Sequence, residues 1–208
     1  QQRARLVGAQ CGQALEGELH VGCFLPFAPM VMPGLIRAFA AAHPAISITL
    51  HEDHVQGVFD SLRNGRTELA LTYDLNVGPD LSFEPLVPMP LHDVLARRHK
   101  LAGQTAVSLE QLAEWPMVLL SLPQSREYFL SLFVARGLKP RISQETSSFE
   151  TLRGLVASGN GFSVMHSRPA SRQTLDGRQV AYVPIKDRVP PQAMGLARLA
   201  RIRSTRRA

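Results

Sequence analysis

Two cysteines in 208 residues are too few to staple a fold of this size. They match neither a disulfide framework nor a CxxC metal or redox pair, which points to a reduced, cytoplasmic setting. Cys23 alternates with Leu19 and Val21, so it reads as a buried strand residue rather than a redox centre. No apolar run approaches the ~20 residues that a membrane-crossing helix needs, and no secretory leader pattern is visible. GxSxG, HExxH, a Walker lysine loop and a GxGxxG after the first strand are also missing, and no nucleophile–base pair can be named. The chain therefore does not read as an enzyme, and nothing in it calls for a cofactor.

What is present is ordinary for a globular protein, with 45% apolar and 19% charged residues. The formal charge is +6 and the sequence pI is about 10.0. Arg3 and Arg5 stand at one end, and Arg198, Arg201, Arg203, Arg206 and Arg207 crowd the other. Removing those seven from +6 leaves −1 for the body, which argues against a broad phosphate-binding face there.

Strand-like and helix-like stretches alternate along the chain, which predicts an α/β fold with parallel sheets covered on both faces. "ELHVGCF", "AISITLHE" and "ELALTYD" read as strands. "PFAPMVMPGLIRAFAAAHP" places Phe27, Met30, Val31, Leu35 and Phe39 near helical spacing, with a kink or late restart expected at Pro33. "VQGVFDSLRNG" has the i, i+3, i+4, i+7 pattern, closed by Asn64-Gly65. Ser108 and Gln111 stand at capping-box spacing. A helix is expected from Ser125 to Arg136, another from Ser148 to the stop at Gly159-Asn160-Gly161, and a short helical piece near residues 168–175.

Candidate chemistry sits at the ends of these elements. In "LPQSREYF", Gln124, Ser125 and Arg126 fall at a helix N-terminus, whose unpaired N–H groups suit an anionic or carbonyl group; the plainer alternative is N-capping by Ser125. Tyr73 and Asp74 end the third strand, where they either line a cleft or turn the chain. His166 is either a cleft donor or a satisfied core histidine. "HEDH", His51–His54, is the nearest metal candidate, but no distant partner is identifiable, and polar residues of the surface and cleft are the better reading.

The ordered set "GELHVGCF…PMVMPGLIRAFAAAHPAISITLHE", "LRNGRTELALTYD", "FEPLV", "VSLEQLAEWPMVLL" and "RGLKPRISQETSSFETLRGLVASGNGFSVM" resembles the effector-binding domain of LysR-type transcriptional regulators over about residues 17–203. The resemblance implies two Rossmann-like lobes joined by two crossover strands, like type 2 periplasmic binding proteins. Lobe I would be residues 17–90 and 192–208, and lobe II residues 91–191. Residues 1–16 would be the remnant of a linker helix, leading from a winged helix-turn-helix that this chain lacks. It further implies a small-molecule effector in the inter-lobe cleft and a homo-oligomer: a dimer of effector domains, a tetramer for the full-length protein. DNA would be bound only through the missing domain, and a membrane not at all. Where family turns offer a hydroxyl, this chain has Phe24-Leu25-Pro26-Phe27. The expected lining is Leu25, Pro26, Phe27, Tyr73 and Asp74 from one lobe, and Gln124, Ser125, Arg126, Phe149 and His166 from the other. A solute-binding protein of a transport system shares the fold and is the alternative.

Overall fold

In the computed structural model, which describes residues 16–200, the first elements are β1 (Gly17–Phe24), α1 (Ala28–Ala42), β2 (Ile46–Asp53), α2 (Val55–Arg63), β3 (Leu69–Tyr73) and β4 (Leu81–Met89). Next come β5 (His92–Ala96), α3 (Leu109–Ala113), β6 (Pro116–Leu120), α4 (Ser125–Val134), β7 (Arg141–Thr146) and α5 (Phe149–Ala157). The last are β8 (Ser163–Met165), β9 (Val180–Pro184) and β10 (Gln192–Leu199). The chain forms two compact units, one ending at Val87 and resuming at Ala193, the other spanning Pro88–Gln192. It leaves the first unit within β4 and returns at the start of β10. Residues 1–16, expected to be a linker remnant, lie outside the described residues except for Glu16.

The first unit holds a five-stranded sheet in the order β2-β1-β3-β10-β4. β1 pairs in parallel with β2 and β3, while β10 runs antiparallel to β3, so the sheet is mixed rather than wholly parallel. Leu19, Val21 and Cys23 form the buried side of β1, as their alternation requires. The apolar stripe of α2 buries Val55, Val58, Phe59 and Leu62. α1 behaves differently from its sequence. It continues through Pro33 with no late restart; Pro33 lies on the exposed side, where water can bond the carbonyl that its missing amide leaves open, and only Ala28 and Met32 along the helix are buried. Leu35 is 43% exposed.

The second unit joins an antiparallel sheet, β8-β5-β9, to the parallel pair β6-β7. The join is made at Phe162, whose N–H donates to the Pro116 carbonyl (2.9 Å) and whose carbonyl accepts from Val118 (2.8 Å). Gly161 makes this approach possible. Its φ is +137°, and a Cβ there would lie 2.0 Å from the Pro116 oxygen. Ser108 and Gln111 form the capping box, and Ser148 caps α5 by accepting from the Thr151 N–H (3.2 Å). Residues 168–175 contain no helix. The backbone carbonyls of Ser171 and Gln173 instead accept from the buried Arg153 guanidinium (2.8 and 3.0 Å).

Two titratable neighbours on β5 are buried in this core. The Asp93 carboxyl is fully buried with no strong hydrogen-bond partner, and burial, opposed only by the Val94 N–H, pushes its pKa well above the ordinary 3.8. His92 is pushed down to about 4, chiefly by burial. A raised carboxyl pKa favours folding below the unfolded value, and the benefit is lost as pH climbs through the folded value. A depressed histidine acts in the opposite sense, with stability intact above 6.5 and lost as pH falls toward 4.

We therefore expect Asp93→Asn to melt progressively higher than the parent as pH rises from 4 to 8, with no advantage below 4. A melting difference independent of pH would show that the Asp93 carboxyl does not titrate abnormally. Separately, Gly161→Ala should destabilise by roughly 2–4 kcal/mol in chemical denaturation, since both its backbone angle and its contact with Pro116 exclude a side chain.

Candidate functional site

In the first unit, the candidate residues collect where β1 and β3 end. Leu25 is 40% exposed, and its N–H donates to the Asp53 carbonyl (3.0 Å), which ties the turn to the end of β2. Pro26 is buried. Phe27 precedes α1 and is fully enclosed, with its ring edge-on to Phe24 (5.4 Å) and Tyr73 (4.6 Å). These three rings close the core beneath the turn, and Tyr73 is itself buried. Asp74 is exposed but engaged: Oδ1 accepts from the Ala193 N–H (3.0 Å), and the Asp74 N–H donates to the Ala193 carbonyl (3.2 Å). It thus pins the end of β3 to β10.

The histidines of "HEDH" also have local work. His54 Nδ1 accepts from the Gly57 N–H (2.9 Å) as the cap of α2, and His51 Nε2 lies 3.1 Å from His20 Nδ1. Among the described residues no three His, Cys, Asp or Glu are grouped to hold a metal ion.

In the second unit, α4 and α5 both begin at the carboxyl edge of the parallel pair β6-β7, the side on which open α/β sheets bind ligands. N-capping by Ser125, the plainer alternative in the sequence, does not occur: the cap position is Gln124, held at φ +68°, ψ −37°. A non-glycine residue there is uncommon and carries a cost of order 1 kcal/mol. Ser125 becomes the first helical residue, 6% exposed. Arg126 makes a two-pronged bond to Glu145 on β7, Nε–Oε2 and Nη2–Oε1 each 3.1 Å. Each shifts the other, the arginine upward and the carboxyl downward, through that bond first. Phe149 is half-buried at the start of α5.

His166 is 2% exposed. Its Nδ1 lies 2.6 Å from the Met89 carbonyl, which can only accept, so Nδ1 carries a proton, and Nε2 shares a hydrogen bond with the Tyr128 hydroxyl (2.7 Å). The ring also stacks near Phe129.

Tyr128, Glu145 and Thr146 went unnoticed in the sequence. Thr146 ends β7: its carbonyl accepts from Ser121 (2.8 Å) and its hydroxyl from the Ser148 N–H (3.1 Å). Its place at a strand end just before a capping serine was the available signal.

With this geometry in hand, comparison with known proteins identifies the family. Residues 12–208 match the LysR substrate binding domain. The chain belongs to this family. HinK, a LysR family transcriptional regulator from Pseudomonas aeruginosa, is 38% identical, with a TM-score of 0.83 over 89% of this chain and 65% of its own. The effector binding domain of QuiR in complex with shikimate is 23% identical, with a TM-score of 0.78 over 89% of this chain and 88% of its own. These domains have the type 2 periplasmic-binding-protein-like fold. The DNA-binding transcriptional dual regulator OxyR of Escherichia coli is 23% identical over 91% of this chain, which spans 62% of its length. The chain spans the same share of the hydrogen peroxide-inducible genes activator of Dickeya chrysanthemi.

Peroxide chemistry at cysteine requires an accessible thiolate. Cys23 is fully buried in β1, and burial, followed by the charge of Glu52, pushes its thiol up to about 12. Cys11 lies outside the described residues. In a Cys11→Ala variant, a disulfide reagent at pH 8 should therefore leave the native thiol unmodified and titrate one thiol after denaturation. Rapid native modification would contradict the burial of Cys23.

Proposed function

We propose that this chain is the ligand-sensing domain of a cytoplasmic LysR-type transcriptional regulator, and that it binds a small-molecule effector. The observation that carries the reading is the match to the family together with the placement of α4 and α5, whose first turns open on one strand edge. Leu25, Pro26, Tyr73 and Asp74 would serve from the first unit, and Gln124, Ser125, Arg126 and Phe149 from the second. Phe27 and His166, enclosed as they are, would support the lining from behind. Residues 1–16 would lead from an N-terminal winged helix-turn-helix, which alone reads operator sequence. A transport role is disfavoured by the regulators among the relatives.

The committed charges restrict the effector. Arg126 is matched by Glu145, and Asp74 is bonded to Ala193, so neither is a bare anchor. Apolar residues and hydroxyls dominate what is left, which suits an aromatic or aliphatic body of mixed polarity better than a dicarboxylate. Ligand binding would stabilise one conformation of the domain and pass that preference to the DNA-binding domains.

Oligomerisation is part of the proposal. α1 leaves Met30, Val31, Leu35 and Phe39 incompletely covered, and Val134 on α4 is 68% exposed. Family effector domains pair side by side and antiparallel, first helix against the partner's second-lobe helix, and these two surfaces fit that arrangement.

A thermal-shift screen of small metabolites followed by calorimetry tests the ligand reading. For a compound so found, Ser125→Ala should weaken binding by about 1–3 kcal/mol through a lost hydrogen bond while leaving the free domain's melting temperature nearly unchanged. Unchanged affinity would remove the start of α4 from the site. Sedimentation should show a dimer at micromolar concentration that Leu35→Glu dissociates; a monomeric parent would refute the pairing.

A further inference from the structure

The body's charge, near zero in sum, is unevenly divided. Residues 16–87 and 193–200 hold four basic and nine acidic residues, whereas residues 88–192 hold thirteen basic and eight acidic. One of those eight, Asp93, is buried on β5. Arg126, Arg136 and Arg153 are matched by Glu145, Asp187 and Glu150. The excess collects elsewhere.

Arg97, Arg98, Lys100, Arg172 and Arg178 come from two short segments whose only carboxylate is Asp176, itself paired with Arg178. Backbone pairing brings the segments together: the Arg97 N–H donates to the Gln179 carbonyl (3.0 Å), and the Val180 N–H donates to the Arg172 carbonyl (2.9 Å). All five cations are exposed. Lys100 is steadied over the Trp115 ring at 4.3 Å. They surround the last residue of β5 and the first of β9. Because β5 runs antiparallel to β8, and β8 continues from a residue bridged in parallel to β6, this end lies opposite the edge where α4 and α5 begin.

We propose that this cationic end of the second unit contacts the phosphate backbone of duplex DNA without reading its sequence. The choice of DNA rests on the regulator reading above; the cationic surface itself does not. Four of the five cations are arginines, whose planar fork matches phosphate oxygens. A protein interface would need a cluster of buried apolar anchors, and the only large exposed apolar residue in these segments is Leu175. The five cations stand on separate backbone positions along a surface, as a row of phosphates demands and a single small anion does not.

The test is fluorescence anisotropy of an arbitrary 20-base-pair duplex titrated with the chain at several salt concentrations. Arg97→Ala/Arg98→Ala/Arg172→Ala should weaken binding at low salt at least about tenfold and flatten the log–log salt dependence by about two to three. The charge-matched Arg203→Ala/Arg206→Ala/Arg207→Ala should leave a larger share of both. Arginine-to-lysine changes at the first three positions should restore most of the salt slope, which a misfolded surface would not. The proposal is overturned if the first triple variant binds like the parent, if the tail variant accounts for all the binding, or if the first variant alters only self-association in sedimentation. Effector calorimetry on the same variant reports independently on the ligand reading, so the two can fail separately.

Discussion

A helix that begins where a parallel strand ends must leave its first N–H groups without helical partners, and the candidate site is organised by how each such start is resolved. α2 and α5 resolve it with a side chain, His54 accepting from Gly57 and Ser148 from Thr151. α4 does not: Gln124 supplies no side-chain cap and sits at positive φ, and Ser125 follows it as the first helical residue. The start of α4 is instead bonded through backbone, the Arg126 N–H donating to the Leu122 carbonyl (3.1 Å) and the Tyr128 N–H to the Gln124 carbonyl (3.1 Å).

The buried polar core of the second unit shows a related economy. His166 is locked between Tyr128 and the Met89 carbonyl, a residue beyond the point where the chain enters the unit. A histidine that joins α4 to the entering strand can hold the helix start in register with it. Arg126 and Glu145 do the same between α4 and β7. The side chains that look most like ligand groups by type are thus already engaged with partners within the chain.

Local chemistry was readable in advance because it depends on neighbours in the chain. The Ser108–Gln111 box, the Ser148 cap and the helix stop at Gly159-Asn160-Gly161 follow from residues close together in the chain. Pairings across distance were not. The Arg126–Glu145 fork joins residues 19 apart, and the Tyr128–His166 bond joins residues 38 apart. The apolar pattern of α1 correctly marks a helix, yet its stripe is not spent on this chain's core, because periodicity reveals an apolar face without saying what covers it. Summed charge misled in a similar way. A body near neutrality conceals one acidic and one basic unit, and only the fold assigns residues to each.

The central claim is that ligand binding is coupled to DNA recognition through this domain. The most direct measurement is the operator affinity of the full-length regulator with and without a saturating compound that binds the isolated chain. Coupling of the usual size, about 1–3 kcal/mol, predicts a change of roughly 5- to 150-fold in one direction. A compound that binds the domain but leaves both operator affinity and transcription unaltered would contradict the account.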